Sequence, residues 1–220
     1  MTTILFQGDS VTDCGRDREN PASLGGGYPL YVSQAMPNHP NESAGSPGTP
    51  GVRVLNRGIS GNRAKDLAAR WREDCINLQP DIVSILIGIN DVWRRYDSND
   101  PTSDAAFEAS YRKLLEPLAA RGVKVLLILP FLLDVSASVT AMREDLAGKQ
   151  AVVRRLAGEF GVAPLDADAL FRQAVTAQSL PPAHFAADGV HPTEAGHRVL
   201  SEAMIPLLAQ SPSGRHSYRP

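Results

Sequence analysis

The stretch Asp81-Ile82-Val83-Ser84-Ile85-Leu86-Ile87-Gly88-Ile89-Asn90-Asp91 decides the fold class. It opens as an almost unbroken apolar run rich in Ile and Val. A strand with one wet face would alternate polar and apolar positions, so this run reads as a strand buried on both faces. Gly88 and the polar pair Asn90-Asp91 end it. Four other segments share the pattern: 3–7, 52–56, 123–129 and 162–165. Between them, apolar residues recur at helical spacing. Leu67, Trp71, Cys75 and Leu78 form one set, and Phe107, Tyr111, Leu114 and Leu118 a second. A third helix is expected over 141–160 and a fourth through Ala195, Val199, Ala203 and Leu207. Pro192 suits the first turn of that last helix. Alternating strands and helices build a parallel sheet covered on both faces. The expectation is a three-layer α/β/α sandwich, flavodoxin-like, around a five-stranded parallel sheet of order 2-1-3-4-5.

Residues 1–210 are expected to form one domain. The stretch 37–51, crowded with Pro, Gly, Asn and Ser, reads as an irregular excursion, and 211–220 as a tail. Of 220 residues, 43% are hydrophobic and 21% charged, with a net charge of -2. These values exclude a disordered chain, a collagen or a coiled coil, and imply no nucleic-acid partner. Two cysteines, Cys14 and Cys75, cannot make a disulfide framework. No apolar run nears the roughly 20 residues a membrane helix needs. The start of the chain lacks a secretory pattern. The expectation is a cytoplasmic protein with reduced thiols and no membrane partner.

Polar clusters follow the first three strands: Gly8-Asp9-Ser10-Val11-Thr12-Asp13, then Asn56-Arg57-Gly58-Ile59-Ser60-Gly61-Asn62, then Gly88-Ile89-Asn90-Asp91. Ligands of doubly wound sheets bind beyond the carboxyl ends of strands, where strand order reverses. Strands 2, 1 and 3 are neighbours there, which brings Ser10, Gly58 and Asn90 to one crevice. A fourth cluster, Asp188-Gly189-Val190-His191-Pro192, spaces an imidazole and a carboxylate for contact within one loop. A buried Asp bonded to Nδ1–H leaves Nε2 free to take a proton. Serine is a weak nucleophile and needs such a base. The Ser10 and Gly58 N–H groups and the Asn90 amide are candidate oxyanion donors. Asp9 and Trp93 are candidate substrate contacts, although Asp9 and Asp13 also suit hydrogen bonding within the turn.

The four clusters resemble the four blocks of the GDSL, or SGNH, hydrolase family. The resemblance implies nucleophile Ser10, triad partners Asp188 and His191, and an oxyanion hole of Ser10, Gly58 and Asn90. The longer strings Phe6-Gln-Gly-Asp-Ser-Val-Thr-Asp-Cys-Gly-Arg16, Arg57-Gly-Ile-Ser-Gly-Asn62 and Ile87-Gly-Ile-Asn-Asp-Val-Trp-Arg94 are similar to the intracellular acetylxylan esterases of that family. That likeness implies removal of acetyl groups from small acetylated saccharides such as xylo-oligosaccharides, with no cofactor or metal. A homo-oligomer is a possible assembly. Ala187 departs from the pattern, standing where a tryptophan is expected, as does the length of 37–51.

Other residues have other readings. His197 is a rival base, but as a residue of the last helix it is expected at the surface. Ser60 is a rival nucleophile without a Gly-x-Ser-x-Gly elbow. Cys14 reads as a partly buried bystander and Cys75 as core. Arg94, Arg95 and Tyr96 either rim the cleft or are solvated. A metal-dependent phosphoesterase using Asp9, Asp13, Asp91, Asp188 and His191 is the alternative from another class, but the chain places few imidazoles for it. A non-catalytic flavodoxin-like module would not need these groups at one sheet edge. Within ester hydrolysis, a lysophospholipase, a thioesterase and a rhamnogalacturonan-type acetylesterase stay open.

Overall fold

A computed structural model describes residues 1–36 and 51–209 of the chain. The excursion expected over 37–51, save Gly51, and the tail expected over 211–220 lie outside the described residues.

Four strands are described: β1 (Thr2–Gly8), β2 (Val52–Asn56), β3 (Ile82–Leu86) and β4 (Lys124–Ile128). The helices are α1 (Ser10–Asp13), α2 (Tyr28–Ala35), α3 (Ala64–Ala69), α4 (Trp71–Asp74), α5 (Ile89–Asp97), α6 (Asp104–Ala119), α7 (Ala137–Thr140), α8 (Arg143–Glu159), α9 (Ala167–Gln178) and α10 (Glu194–Ala209). All strand pairs are parallel, in the order β2-β1-β3-β4.

The absence of alternation in the strands has the expected cause, because each strand feeds two cores. Leu5, Val83, Ile85 and Leu127 point to one face, where Leu67, Trp71, Phe107, Tyr111, Leu114 and Leu156 cover them. Ile4, Phe6, Ile82, Leu86 and Leu126 point to the other, under Tyr28, Val32, Phe171, Leu200 and Met204. This is the α/β fold and three-layer arrangement expected.

The fifth strand is a correction. Around 162–165 only one bridge forms, Ile128 to Leu165, closed by Leu165 N–H to Leu127 O at 2.8 Å and Leu129 N–H to Leu165 O at 2.9 Å. Gly161 enters with φ +67° and Pro164 has no N–H, so a longer ladder lacks both geometry and a donor. The segment sits where strand five was expected, at the β4 edge, without becoming a strand.

Two helix expectations also shift. The apolar set from Leu67 to Leu78 is split into α3, α4 and a short 3-10 turn, Ile76–Leu78. The last helix begins at Glu194, two residues beyond Pro192, and Thr193 O accepts the His197 N–H. α2, α5 and α9 lie where no helix was expected.

β1 lies between β2 and β3 in register, with Phe6 opposite Asn56 and Gly8 opposite Leu86. β3 therefore ends level with β1, and β2 two residues short of them, and their loops share one edge.

Candidate active site

Ser10 opens α1, whose amino end is capped by Asp9: its Oδ1 accepts the Val11 N–H at 3.1 Å. The Ser10 N–H has no acceptor among the described residues, as suits the first turn of a helix. Ser10 Oγ lies 2.8 Å from His191 Nε2, and His191 Nδ1 lies 2.6 Å from Asp188 Oδ2. A carboxylate at Nδ1 places the proton there, so Nε2 is the acceptor and Ser10 O–H the donor.

Asp188 is half-exposed rather than buried, contrary to expectation. What holds it is bonding: Oδ1 accepts the N–H of Val190 at 2.9 Å and of His191 at 2.7 Å. Burial works to raise this carboxyl, but the His191 side chain and the two backbone donors outweigh it and hold it below its ordinary value. The loop is stapled by a bridge between Ala186 and Pro192, and Gly189 O accepts the Leu133 N–H at 2.7 Å.

Gly58 needs a correction as oxyanion donor. Its N–H is spent on Asn56 Oδ1 at 2.8 Å, and its carbonyl accepts Arg16 Nε at 2.8 Å. A Cβ there would lie 2.4 Å from Asp13 N, so this glycine is required for close packing against α1. The neighbour Gly61 behaves differently. Residues 59–62 form a turn closed by Asn62 N–H to Ile59 O at 3.1 Å, with Gly61 at φ +83° in its third position, as a type II turn requires. Space around Gly61 is open, and its N–H has no acceptor among the described residues. Asn90 is buried, and its Nδ2 donates to Asn62 O at 3.1 Å, leaving its second amide hydrogen uncommitted among the described residues. Ser10, Gly61 and Asn90 are thus the three donors this edge can offer an oxyanion. The glycine in the third place of Ile59-Ser60-Gly61-Asn62 is a type II signature that the sequence did contain.

Asp9 is also corrected as a substrate contact. It is 1% exposed and occupied as the α1 cap. Burial pushes its carboxyl up to about 7. Beside it lies a cavity of about 10 Å³ lined by Val11, Leu86, Ile87, Ile89, Pro130 and Phe131, room for one water at most. Trp93 stays beside the chemistry: its ring centroid is 5.9 Å from that of His191, inclined at 44°. The indole is half-buried against Ile89, Val92, Leu132, Met142, Leu146 and Val190.

His197 is not at the surface. It is 3% exposed, its Nδ1 accepts the Tyr28 N–H at 3.2 Å, and its Nε2 lies 3.3 Å from Cys14 Sγ. Burial lowers this imidazole to about 4. Cys14 is partly buried and Cys75 fully so, and burial pushes the Cys75 thiol up to about 12. Arg95 pairs with Asp145 at 2.8 Å and Arg94 with Asp97, while the Tyr96 hydroxyl donates to Asp145. Arg95 and Tyr96 tie α5 to the start of α8, whereas the Arg94 pair stays within α5.

The carboxylates are dispersed by their separate duties. Asp13 accepts Ser60 N–H at 2.9 Å and Asp91 accepts Ala64 N–H at 2.9 Å. Among the described residues no three His, Cys, Asp or Glu side chains are grouped to hold a metal ion. No described helix is long and apolar enough to cross a membrane.

The arrangement has known counterparts. An acetylxylan esterase of Geobacillus stearothermophilus is 38% identical over 210 residues, which span 92% of this chain and 91% of that one. The crystal structure of Axe2, an acetylxylan esterase of the same organism, matches with a TM-score of 0.76 at 34% identity, covering 96% of this chain and 95% of that one. LAE5, described as an alpha/beta hydrolase enzyme from the metagenome of Lake Arreo, matches with a TM-score of 0.79 at 29% identity, covering 93% and 94%. The family model for GDSL-like lipases and acylhydrolases matches residues 6–199, a span that begins before the Ser10 block and ends after the His191 block. Serine, imidazole and carboxylate in hydrogen-bonded series, at the strand ends this model covers, make the chain a member of the GDSL-like lipase/acylhydrolase family.

Proposed function

We propose that this protein is a serine esterase that removes acetyl groups from small acetylated saccharides, xylo-oligosaccharides foremost. The carrying observation is the hydrogen-bonded series from Ser10 Oγ through His191 to Asp188, at 2.8 and 2.6 Å. In this reading Ser10 Oγ attacks the ester carbonyl while His191 Nε2 takes its proton. The new negative charge falls to the N–H groups of Ser10 and Gly61 and the Asn90 amide. Collapse of the tetrahedral intermediate breaks the ester C–O bond, and His191 returns the proton to the sugar oxygen. Water then repeats the sequence on the acetyl-enzyme.

The name of the 38% identical relative supports acetylated xylan fragments as the substrate class. Trp93, half-buried beside His191, offers a flat apolar face of the kind on which a sugar ring stacks. Two free thiols suit a reducing, cytoplasmic setting, where short oligosaccharides rather than polymer would be met.

The test is turnover of acetyl, butyryl and octanoyl esters beside peracetylated xylose, with Ser10→Ala as the control. Ser10→Ala should lower kcat by about 10⁴–10⁶. Preference for octanoyl esters would overturn the substrate, and full activity of Ser10→Ala would overturn the nucleophile.

A further inference from the structure

The turn Ile59-Ser60-Gly61-Asn62 is pinned at every backbone N–H but one. Ile59 N–H donates to Gly8 O at 3.1 Å, and Asn62 N–H closes the turn onto Ile59 O. Asn62 Oδ1 accepts Arg70 Nε at 2.8 Å, and Asn62 O accepts Asn90 Nδ2. Ser60 is held by one carboxylate oxygen: Asp13 Oδ2 accepts its N–H at 2.9 Å and its hydroxyl at 3.1 Å. Of the turn's backbone N–H groups, that of Gly61 alone is uncommitted among the described residues.

Asp13 stands at the other end of the helix that Ser10 opens. Its N–H donates to Asp9 O at 2.8 Å, and the side chain is 3% exposed as part of the residue. The same Oδ2 takes Arg18 Nη2 at 2.6 Å, and Oδ1 takes the Arg16 N–H at 3.2 Å. The carboxylate is therefore fixed against rotation and cannot leave Ser60. In a type II turn the peptide planes on either side of the third residue are set by the turn's second residue and by its closing bond. Fixing Ser60 N–H to Asp13 thus sets the direction in which the next N–H, that of Gly61, points.

We infer that Asp13 is a positioning residue for the oxyanion site: it locks the Ser60–Gly61 turn to the helix of the nucleophile, so that Gly61 N–H and Ser10 Oγ keep one geometry. This rests on the serine-esterase reading above. The carboxylate touches no substrate. It acts through Ser60, and its worth appears only as charge develops on the carbonyl oxygen.

Two substitutions break the link from opposite sides. Asp13→Ala removes the acceptor. Ser60→Pro removes the donor N–H at a turn position that proline favours, and leaves Asp13 intact. On a small activated acetate ester each should lower kcat by about 10²-fold while KM moves less than about threefold. The double variant should be no slower than the slower single variant, because both delete one link. Asp13→Asn keeps an acceptor for Ser60 and should recover most of kcat. Losses that multiply in the double variant, a rise in KM alone, or wild-type kcat in Ser60→Pro would overturn the inference. If Asp13→Ala does not fold, Ser60→Pro and Asp13→Asn decide it. Wild-type protein labelled by a serine-directed phosphonate at a residue other than Ser10 would instead overturn the assignment of Ser10 as nucleophile, on which it rests.

Discussion

The Trp93 indole leans against the imidazole of His191, centroid to centroid 5.9 Å, at 44°. The imidazole is thus flanked by an aromatic ring rooted in the apolar cluster of Ile89, Val92 and Val190. This contact gives Trp93 two separable duties: shaping the substrate side of the cleft and limiting where His191 can swing. Trp93→Phe should keep the second duty and lose part of the first. We expect Trp93→Phe to retain activity on a small activated acetate within about threefold and to lose about tenfold or more in kcat/KM on acetylated xylose. Trp93→Ala should damage both. Equal losses on both substrates for Trp93→Phe would leave only the packing role.

Asp188 is tied by three hydrogen bonds, one from His191 Nδ1 and two from the backbone N–H of Val190 and His191. Asp188→Asn preserves the backbone bonds but presents the wrong partner to Nδ1. Kcat should fall by about 10⁴, with KM little altered. Circular dichroism and KM would separate this from loss of the loop. A fall in KM-limited binding with kcat intact would refute the orienting role.

The two glycines of the second block should respond differently to alanine. At Gly58 the new Cβ would meet Asp13 N at 2.4 Å, an immovable backbone atom behind the nucleophile. Gly58→Ala should cost several kcal/mol of stability and most of the activity. At Gly61 nothing lies within 4 Å, and the cost is the left-handed φ of +83°, about 1–2 kcal/mol. Thermal melts of the two variants, side by side, check the order. Reversed severities would contradict it.

Asp9 makes a stability prediction with a definite sign. Burial raises its carboxyl from 3.8 to about 7. The unfolded chain therefore sheds this proton first as pH rises. The stabilising contribution of the protonated, buried form is present below the ordinary value and is lost as pH climbs towards about 7. Asp9→Asn retains an acceptor for Val11 N–H and cannot ionise. Its stability relative to wild type should grow by up to a few kcal/mol between about pH 4 and about pH 7 and then level off. Urea unfolding at several pH values measures it, and a pH-independent difference would count against a buried neutral Asp9.

Much of this molecule is legible from local pattern. The apolar runs at β1, β2, β3 and β4 are visible because strands buried twice need side chains that tolerate no water on either face. The proposed nucleophile, base and acid are visible because Ser10, His191 and Asp188 each sit in a short cluster immediately after an expected strand or in a loop of fixed spacing. Helix α5 was hidden because its first turn carries the polar residues Asn90 and Asp91, which read as a loop. The fifth strand misled for the opposite reason: Val162 and Leu165 are strand-like residues, but Pro164 between them cannot donate.

By itself the sequence determined the layered α/β class, the parallel sheet and the short polar clusters that carry Ser10, Asp188 and His191, since these follow from hydrophobic periodicity and from chemical type at short range. Tertiary structure alone decided which glycine offers its N–H and which is buried against Asp13, because hydrogen-bond partners such as Asn56 Oδ1 are set by the approach of separate elements. It also decided that Asp9 faces the core and that Asp13 holds Ser60, 47 positions away along the chain. Two carboxylates in one hexapeptide look alike in sequence. One caps its own helix through Val11 N–H, two residues on, while only the packing of β2's loop onto α1 gives the other a distant N–H to hold.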